Sequence, residues 1–230
     1  MSAPIVVDWP AVDLVVFDVD GTLYDQRRLR RAMLTQLLWI CLRTGDIETV
    51  LTLREFRKTR ERLANNEDPE FLRRQYAVTA KKRRCSQQHV ASLVDEWMIR
   101  RPMCSIYQYV YPGVQQFFSD LRRAGKRIAI FSDYPAAEKI AAMGLAADVI
   151  RCAEDRSIGR MKPDPAGLED ILASERVSRH RCLMIGDRLD RDAEAARRAN
   201  VRVLIRSDRP LYGVETFAHF DTAPFSAVIG

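Results

Sequence analysis

The chain has 230 residues, 47% hydrophobic and 30% charged, with a formal net charge of +6. That length holds one large domain, or a core with a smaller insert, and the composition is that of an ordinary soluble globular protein. The longest nearly apolar stretch, Ala32 to Leu42, is broken by Thr35 and Gln36 and is far short of the ~20 residues that span a bilayer. The first ten residues, MSAPIVVDWP, have no basic start or long apolar segment, so no signal peptide is expected. Five scattered cysteines (Cys41, Cys85, Cys104, Cys152, Cys182) form no CxxC pair and read as reduced thiols of a cytoplasmic protein. Between Arg27 and Arg101 there are 18 Lys and Arg against nine Asp and Glu, an excess of nine, so the rest of the chain is net −3.

Leu14 to Phe17 is a short apolar run with the character of a fully buried strand, and it ends abruptly in Asp18, Asp20 and a Gly-Thr turn. The pattern then turns helical. Arg27 to Arg43 places Leu29, Met33, Leu37, Leu38 and Ile40 at spacings of three and four, and further helices are expected over Ile47–Ala64, Pro69–Ala80 and Ser86–Arg101, the last opened by a Ser86 cap. With no strand signal from Tyr24 to Ser105, residues 25–105 read as a helical insert of four helices between core segments 1–24 and 106–230. Trp39 and Trp97 are expected to pack in its core, and KKRR at 81–84 reads as an exposed turn.

From Tyr111 the chain alternates. Pro112-Gly113 opens a helix carrying Val114, Phe117, Phe118 and Leu121. Strands are expected at Arg127–Phe131, Asp148–Arg151, Cys182–Ile185 and Val201–Ile205, with helices at Pro135–Met143, Asp164–Ser174 and Asp190–Ala199 between them. Such alternation implies an α/β fold, a Rossmann-like parallel sheet with right-handed crossovers and helices on both faces. The segment 207–230 has aromatics without a clear period and receives no role.

Four polar elements then stand in order: DVDGT at 18–22, Ser132 after an apolar strand, Lys162 in MKPDP, and GDRLDRD at 186–192. Phosphoryl transfer needs this inventory: a carboxylate nucleophile, a hard cation to offset repulsion between two anions, short donors for the phosphoryl oxygens, and a lysine beside the aspartates. In these motifs and their order the sequence resembles the haloacid dehalogenase-like hydrolase superfamily, with the helical insert where that superfamily's type 1 cap lies. The resemblance implies that Asp18 is the nucleophile, that Asp20 is the general acid and base, and that Ser132 and Lys162 hold the phosphoryl oxygens. It further implies that magnesium is held by Asp18, Asp187 and the Asp20 backbone carbonyl, with Asp192 as an auxiliary ligand. Asp190 reads as a helix N-cap. The superfamily's dehalogenases usually lack an acid at the position of Asp20, which disfavours dehalogenation, and Asp133 stands where Asn is frequent.

The resulting expectation is a magnesium-dependent phosphatase of the phosphoglycolate phosphatase kind, acting on a small anionic phosphorylated metabolite. A phosphomutase resembling β-phosphoglucomutase and a polyanion-binding protein using the basic insert are the alternatives. A cap would close over the intermediate, with Arg27, Arg28, Arg30, Arg31 and Arg54 as candidate substrate contacts. One basic run is weak evidence for nucleic acid, which is not expected as a partner, and neither is a membrane. His89, His180 and His219 have no metal-ligand spacing. The sequence sets no oligomeric state.

Overall fold

The computed structural model describes residues 5–228, and these fold as two compact units. One runs up to Asp25 and resumes at Val110; the other is Gln26–Tyr109.

The first unit is an α/β core around a six-stranded parallel sheet. In chain order its strands are β1 (Leu14–Phe17), β2 (Arg127–Ser132), β3 (Val149–Cys152), β4 (Cys182–Gly186), β5 (Arg202–Arg206) and β6 (Glu215–Phe217). They lie in the spatial order β3-β2-β1-β4-β5-β6. All four residues of β1 are fully buried, as expected of a central parallel strand covered on both faces and therefore apolar without alternation. Leu14 pairs with Arg127 on one side and with Cys182 on the other, so the carboxyl ends of β1, β2 and β4 come out level. The chain builds outward from β1 through β2 to β3, then crosses back to start the other half at β4. Ligands bind in open α/β sheets at the carboxyl ends beside such a reversal of strand order.

The strand pleat divides the core. Leu14, Val16, Ala129, Phe131, Cys182 and Met184 pack with Leu168, Ile171 and Leu172 of the helix Ala166–Glu175, with Ala196 of the helix Glu194–Arg198 and with Ala199 just past its end. Residues of opposite parity, such as Phe17, meet the opposite layer, where Phe17 lies 5.9 Å from Phe117 and 4.7 Å from Phe118, ring centre to ring centre.

The segment with no assigned role belongs to this layer. It contributes β6, which the lack of a period concealed because a three-residue strand is too short to show one. It also contributes Phe217, Phe220 and Phe225, packed with one another and against Phe117. The Trp9 indole N–H donates to the Pro224 carbonyl at 2.9 Å, tying the two ends of the core together. Helices α6 (Val114–Arg123), α7 (Ala137–Ala142), α8 (Ala166–Glu175) and α9 (Glu194–Arg198) complete the unit, α6 being capped by Gly113 at φ +83°. A Cβ at Gly113 would meet backbone of Phe220 and Asp221 at 2.6 to 2.7 Å, so only glycine lets the 220s pack there.

The second unit is helical throughout: α1 (Gln26–Thr44), α2 (Glu48–Asn65), α3 (Phe71–Arg83) and α4 (Gln87–Val94), the last continuing through a widened π turn, Asp95–Arg100, into α5 (Arg101–Met103). Ser86 caps α4, its Oγ accepting from the His89 backbone N–H at 3.1 Å. Leu37, Leu53, Phe56, Ala80, Val90, Val94 and Trp97 form its centre. Two expectations fail here. Trp39 is 58% exposed rather than packed, with Arg43 stacked over its ring at 4.5 Å. KKRR is no turn: residues 81–83 finish α3, and Arg84 ends it in a left-handed conformation. Lys82 pairs with Glu55, and Arg83 with Glu48. None of the described helices is long and apolar enough to cross a membrane.

Candidate active site

Asp18 is the first residue beyond β1, and its backbone N–H still extends the ladder to the Ile185 carbonyl at 2.9 Å. Its carboxylate is thereby fixed at the carboxyl edge of the sheet and is almost wholly buried. The Lys162 ammonium bonds Asp18 Oδ1 at 2.5 Å, and the Thr22 hydroxyl donates to Oδ2 at 2.9 Å. Lys162, also buried, donates further to Asp192 Oδ1 at 2.7 Å and to the Phe131 carbonyl at 3.1 Å. One cation therefore bridges two carboxylates and a strand end, and all three of its protons are used.

The loop carrying Lys162 is held in place by its neighbours. The Lys162 backbone N–H donates to Asp133 Oδ1 at 2.8 Å, and the Arg191 guanidinium donates to the Lys162 carbonyl at 2.8 Å. Asp133, the residue that departs from the frequent Asn, thus has a positional use. It also adds negative charge beside the ammonium. Ser132 ends β2 with its side chain buried and its Oγ accepting from the Tyr134 N–H at 3.2 Å.

After β4 the chain turns through a π turn, Leu189–Ala193. Asp192 Oδ2 accepts from the N–H groups of Asp187 and Arg188 at 3.1 and 3.0 Å, so this carboxylate shapes the turn while its other oxygen faces Lys162. The same turn places Asp187 beside Asp18. Gly21 and Gly186 make room: a Cβ on Gly21, which sits at φ +100°, would lie 2.2 Å from Asp187 Oδ2, and one on Gly186 would lie 2.3 Å from the Asp192 side chain. Asp190 is not a cap. It lies exposed inside the turn and pairs with Arg188 at 2.6 Å.

Carboxylate oxygens of Asp18, Asp187 and Asp192 lie within 4.8 Å of one another. The crowding shows in their acidities. Burial, opposed by Lys162 and reinforced by Asp192, pushes Asp18 up to about 7. Burial, then Asp18 and Asp192, push Asp187 up to about 8. Burial disfavours the Lys162 ammonium, yet the charges of Asp18, Asp192 and Asp133 outweigh it and hold that group protonated above the usual lysine value. An oxygen-only donor set with unrelieved negative charge fits a hard divalent cation. Thiols and imidazoles play no part: the histidines are all exposed.

Asp20 points to a different partner set. Lys139 from α7 brings its ammonium to 2.6 and 2.9 Å from the two Asp20 oxygens, and the Tyr24 hydroxyl also donates to Oδ1. The structure thus gathers Asp18, Lys162, Asp187 and Asp192 into one cluster, with Asp20 joined to it through the 18–22 loop. Lys139, Tyr24 and Arg191 were missed by sequence reasoning. A signal for Lys139 exists, since it is the only basic residue between Ser132 and Arg151. The arginines singled out in the helical unit, Arg27, Arg28, Arg30, Arg31 and Arg54, are exposed on α1 and α2.

A parallel α/β core with a buried aspartate and lysine at the exit of its central strand defines a class of carboxylate-centred hydrolytic enzymes. Within it, this chain belongs to the haloacid dehalogenase-like hydrolase family, whose model matches residues 12–200. Among solved structures it is similar to the 2-haloacid dehalogenase of Pseudomonas syringae pv. Tomato DC3000, with 20% identity, 94% of this chain and 98% of that one covered, and a TM-score of 0.62. It is similar also to the HAD-hydrolase YfnB of Bacillus subtilis bound to magnesium (14% identity, 91% and 96% covered, TM-score 0.64). A third is the β-phosphoglucomutase of Clostridium difficile (19% identity, 94% and 95% covered, TM-score 0.65). At these identities the likeness is one of fold. No curated protein matches the sequence.

Proposed function

We propose that the protein is a magnesium-dependent phosphatase that hydrolyses a small phosphate monoester through an aspartyl-phosphate on Asp18. The observation that carries this reading is Asp20: a second carboxylate two residues past the nucleophile, held by the Lys139 ammonium and the Tyr24 hydroxyl. Carbon–halogen cleavage releases halide, which needs no proton, whereas an ester oxygen leaves most readily as an alcohol and needs a general acid. An acid beside the nucleophile therefore favours phosphoryl transfer over dehalogenation.

In this reading an Asp18 oxygen attacks phosphorus, the ester P–O bond breaks, and Asp20 delivers its proton to the departing oxygen. Asp20 then takes a proton from water as that water attacks the phosphoryl group, releasing inorganic phosphate and restoring Asp18. Lys162 and the Ser132 hydroxyl are assigned to the equatorial oxygens. Asp18, Asp187 and the Asp20 carbonyl are assigned to magnesium, which would neutralise charge between nucleophile and ester. Asp192, with one oxygen on Lys162 and the other on the 187–188 backbone, orients both.

The test is phosphate release from a panel of phosphate monoesters, and halide release from 2-haloacids, with magnesium or with a chelator, for the native protein and Asp18→Asn. Magnesium-dependent phosphate release abolished by the substitution supports the reading. Halide release, or phosphate release indifferent to Asp18, overturns it.

A further inference from the structure

Lys139 lies on a short helix that none of the sequence motifs includes, yet its ammonium reaches both oxygens of Asp20 across 119 positions of sequence, with the residue only 6% exposed. Taking an ammonium out of water is costly unless it is well partnered, so a buried lysine with this geometry has a specific task. It sits over Tyr134, 5.5 Å from the ring centre. Tyr134 in turn donates its backbone N–H to Ser132 Oγ. The stretch from Ser132 to α7 therefore holds at one end the hydroxyl assigned above to the phosphoryl oxygens and at the other the ammonium that grips Asp20.

Asp20 itself rides on a loop rather than a strand, and two side-chain torsions separate its carboxyl from the backbone. Lys139 holds both oxygens of that carboxyl, and the Tyr24 hydroxyl, four residues on, donates to Oδ1 as well. A proton donor must sit within hydrogen-bond reach of the leaving oxygen, and a displacement of about 1 Å can cost on the order of 100-fold in rate.

We propose that Lys139 is a positioning residue of this enzyme, holding the Asp20 carboxyl where it can exchange a proton with the leaving group and with water. The assignment rests on the phosphatase reading above and on Asp20 as its acid and base. Lys139 acts through Asp20 and touches neither the nucleophile nor the phosphoryl group.

A merely structural ion pair and a positioning one differ in how their loss depends on the leaving group. An alkyl phosphate needs its departing oxygen protonated; 4-nitrophenyl phosphate, with a stable phenolate, needs this far less. Steady-state kinetics on both esters with magnesium would compare the native protein, Asp20→Asn, Lys139→Met, Lys139→Arg and the double variant. Lys139→Met is expected to lower kcat on the alkyl ester roughly 10- to 100-fold, to lower it only a few-fold on the aryl ester, and to leave KM nearly unchanged. In the Asp20→Asn background the same change should cost nothing more. Lys139→Arg retains the charge, and is expected to show the same leaving-group contrast to a smaller degree.

Equal losses on the two esters, a rise in KM with kcat intact, or losses that multiply with those of Asp20→Asn would overturn the inference. If Lys139→Met does not fold, Lys139→Arg carries the decision: native kcat on both esters refutes it. Should Asp20→Asn itself show no leaving-group contrast, the assignment of Asp20 fails and this inference fails with it. A contrast in Asp20→Asn that is absent from both Lys139 variants sinks the inference alone.

Discussion

Asp187→Asn gives a sharp test of the electrostatics at the sheet edge, because it should stabilise the protein while removing its response to metal. Burial first, then Asp18 and Asp192, push Asp187 up to about 8 from 3.8, while Asp18 rises to about 7. A carboxyl whose folded pKa exceeds its unfolded value binds its proton more tightly in the native state. Its contribution to stability is therefore complete below pH ~4 and is lost as the pH rises through 7 to 8. Four pKa units at 1.36 kcal/mol each set an upper bound of about 5 to 6 kcal/mol. The two aspartates share that strain with each other and with Lys162, so about 2 kcal/mol at pH 8 is the expected gain from neutralising one of them. In a chain of this length that corresponds to roughly 4 to 8 °C in Tm.

The assay is thermal or urea denaturation of the metal-free protein between pH 4 and 8.5, native beside Asp187→Asn, repeated with millimolar magnesium. The two proteins should coincide near pH 4 and diverge as the pH rises, with the variant the more stable. Magnesium should raise the native midpoint at pH 8 and leave the variant's nearly unmoved. A variant less stable than native at pH 8 without metal, or a difference independent of pH, would refute the picture of Asp187 as a buried, uncompensated charge.

Lys162→Met removes the counter-ion of two buried carboxylates; breaking such a pair costs about 3 to 5 kcal/mol, read as a fall in the denaturation midpoint at pH 8 together with loss of phosphate release. An unchanged midpoint would mean that Asp18 and Asp192 find another partner. Gly21→Ala forces a side chain onto a residue at φ +100° and drives its Cβ to 2.2 Å from Asp187 Oδ2. It should cost about 1 to 2 kcal/mol in backbone strain and, more tellingly, abolish the magnesium-dependent rise in Tm. Phe225→Ala empties the middle of the aromatic layer against Phe117 and Phe217 and should cost about 3 to 5 kcal/mol, while turnover per folded molecule stays native. If turnover falls in parallel, the 220s have a role beyond packing.

The parallel sheet was legible because β1, β2 and β4 are buried on both faces, so their sequences are short unbroken apolar runs, and each stops at a polar residue. Observed bounds differ from expectation by a residue, as at β5, where Arg202–Arg206 replaces 201–205. Asp18 and Asp187 could be seen because each follows an apolar strand, and Lys162 because it opens the Pro-rich segment 162–165 between them. What stayed hidden has a common cause. Trp39 sits in the apolar run Leu37, Leu38, Trp39 and Ile40, but it stands two residues past Leu37 and six past Met33, so the turn of α1 carries it away from the buried stripe of Leu29, Met33 and Leu37. The stretch 215–228 builds core from three phenylalanines in irregular chain, where no period exists to be read. Lys139 lies in AEKIAA, a sequence of ordinary helix formers in which one lysine looks like a solvated face.

The two lysines divide the site's labour by chemistry. Lys162 sits between Asp18 and Asp192, so its charge reaches the proposed nucleophile directly, while Lys139 pairs with Asp20. Separate counter-ions let two carboxylates two positions apart experience different fields, although they leave the same strand end. The end of β2 and the helix α7 supply the Ser132 hydroxyl and the second lysine from one short stretch, and Asp133 in that stretch also fastens the backbone of Lys162. Disturbing residues 132–139 should consequently affect Ser132, Asp20 and the backbone of Lys162 together, whereas changes in the 187–192 turn should act through the proposed metal site and Lys162 and leave Asp20 in place.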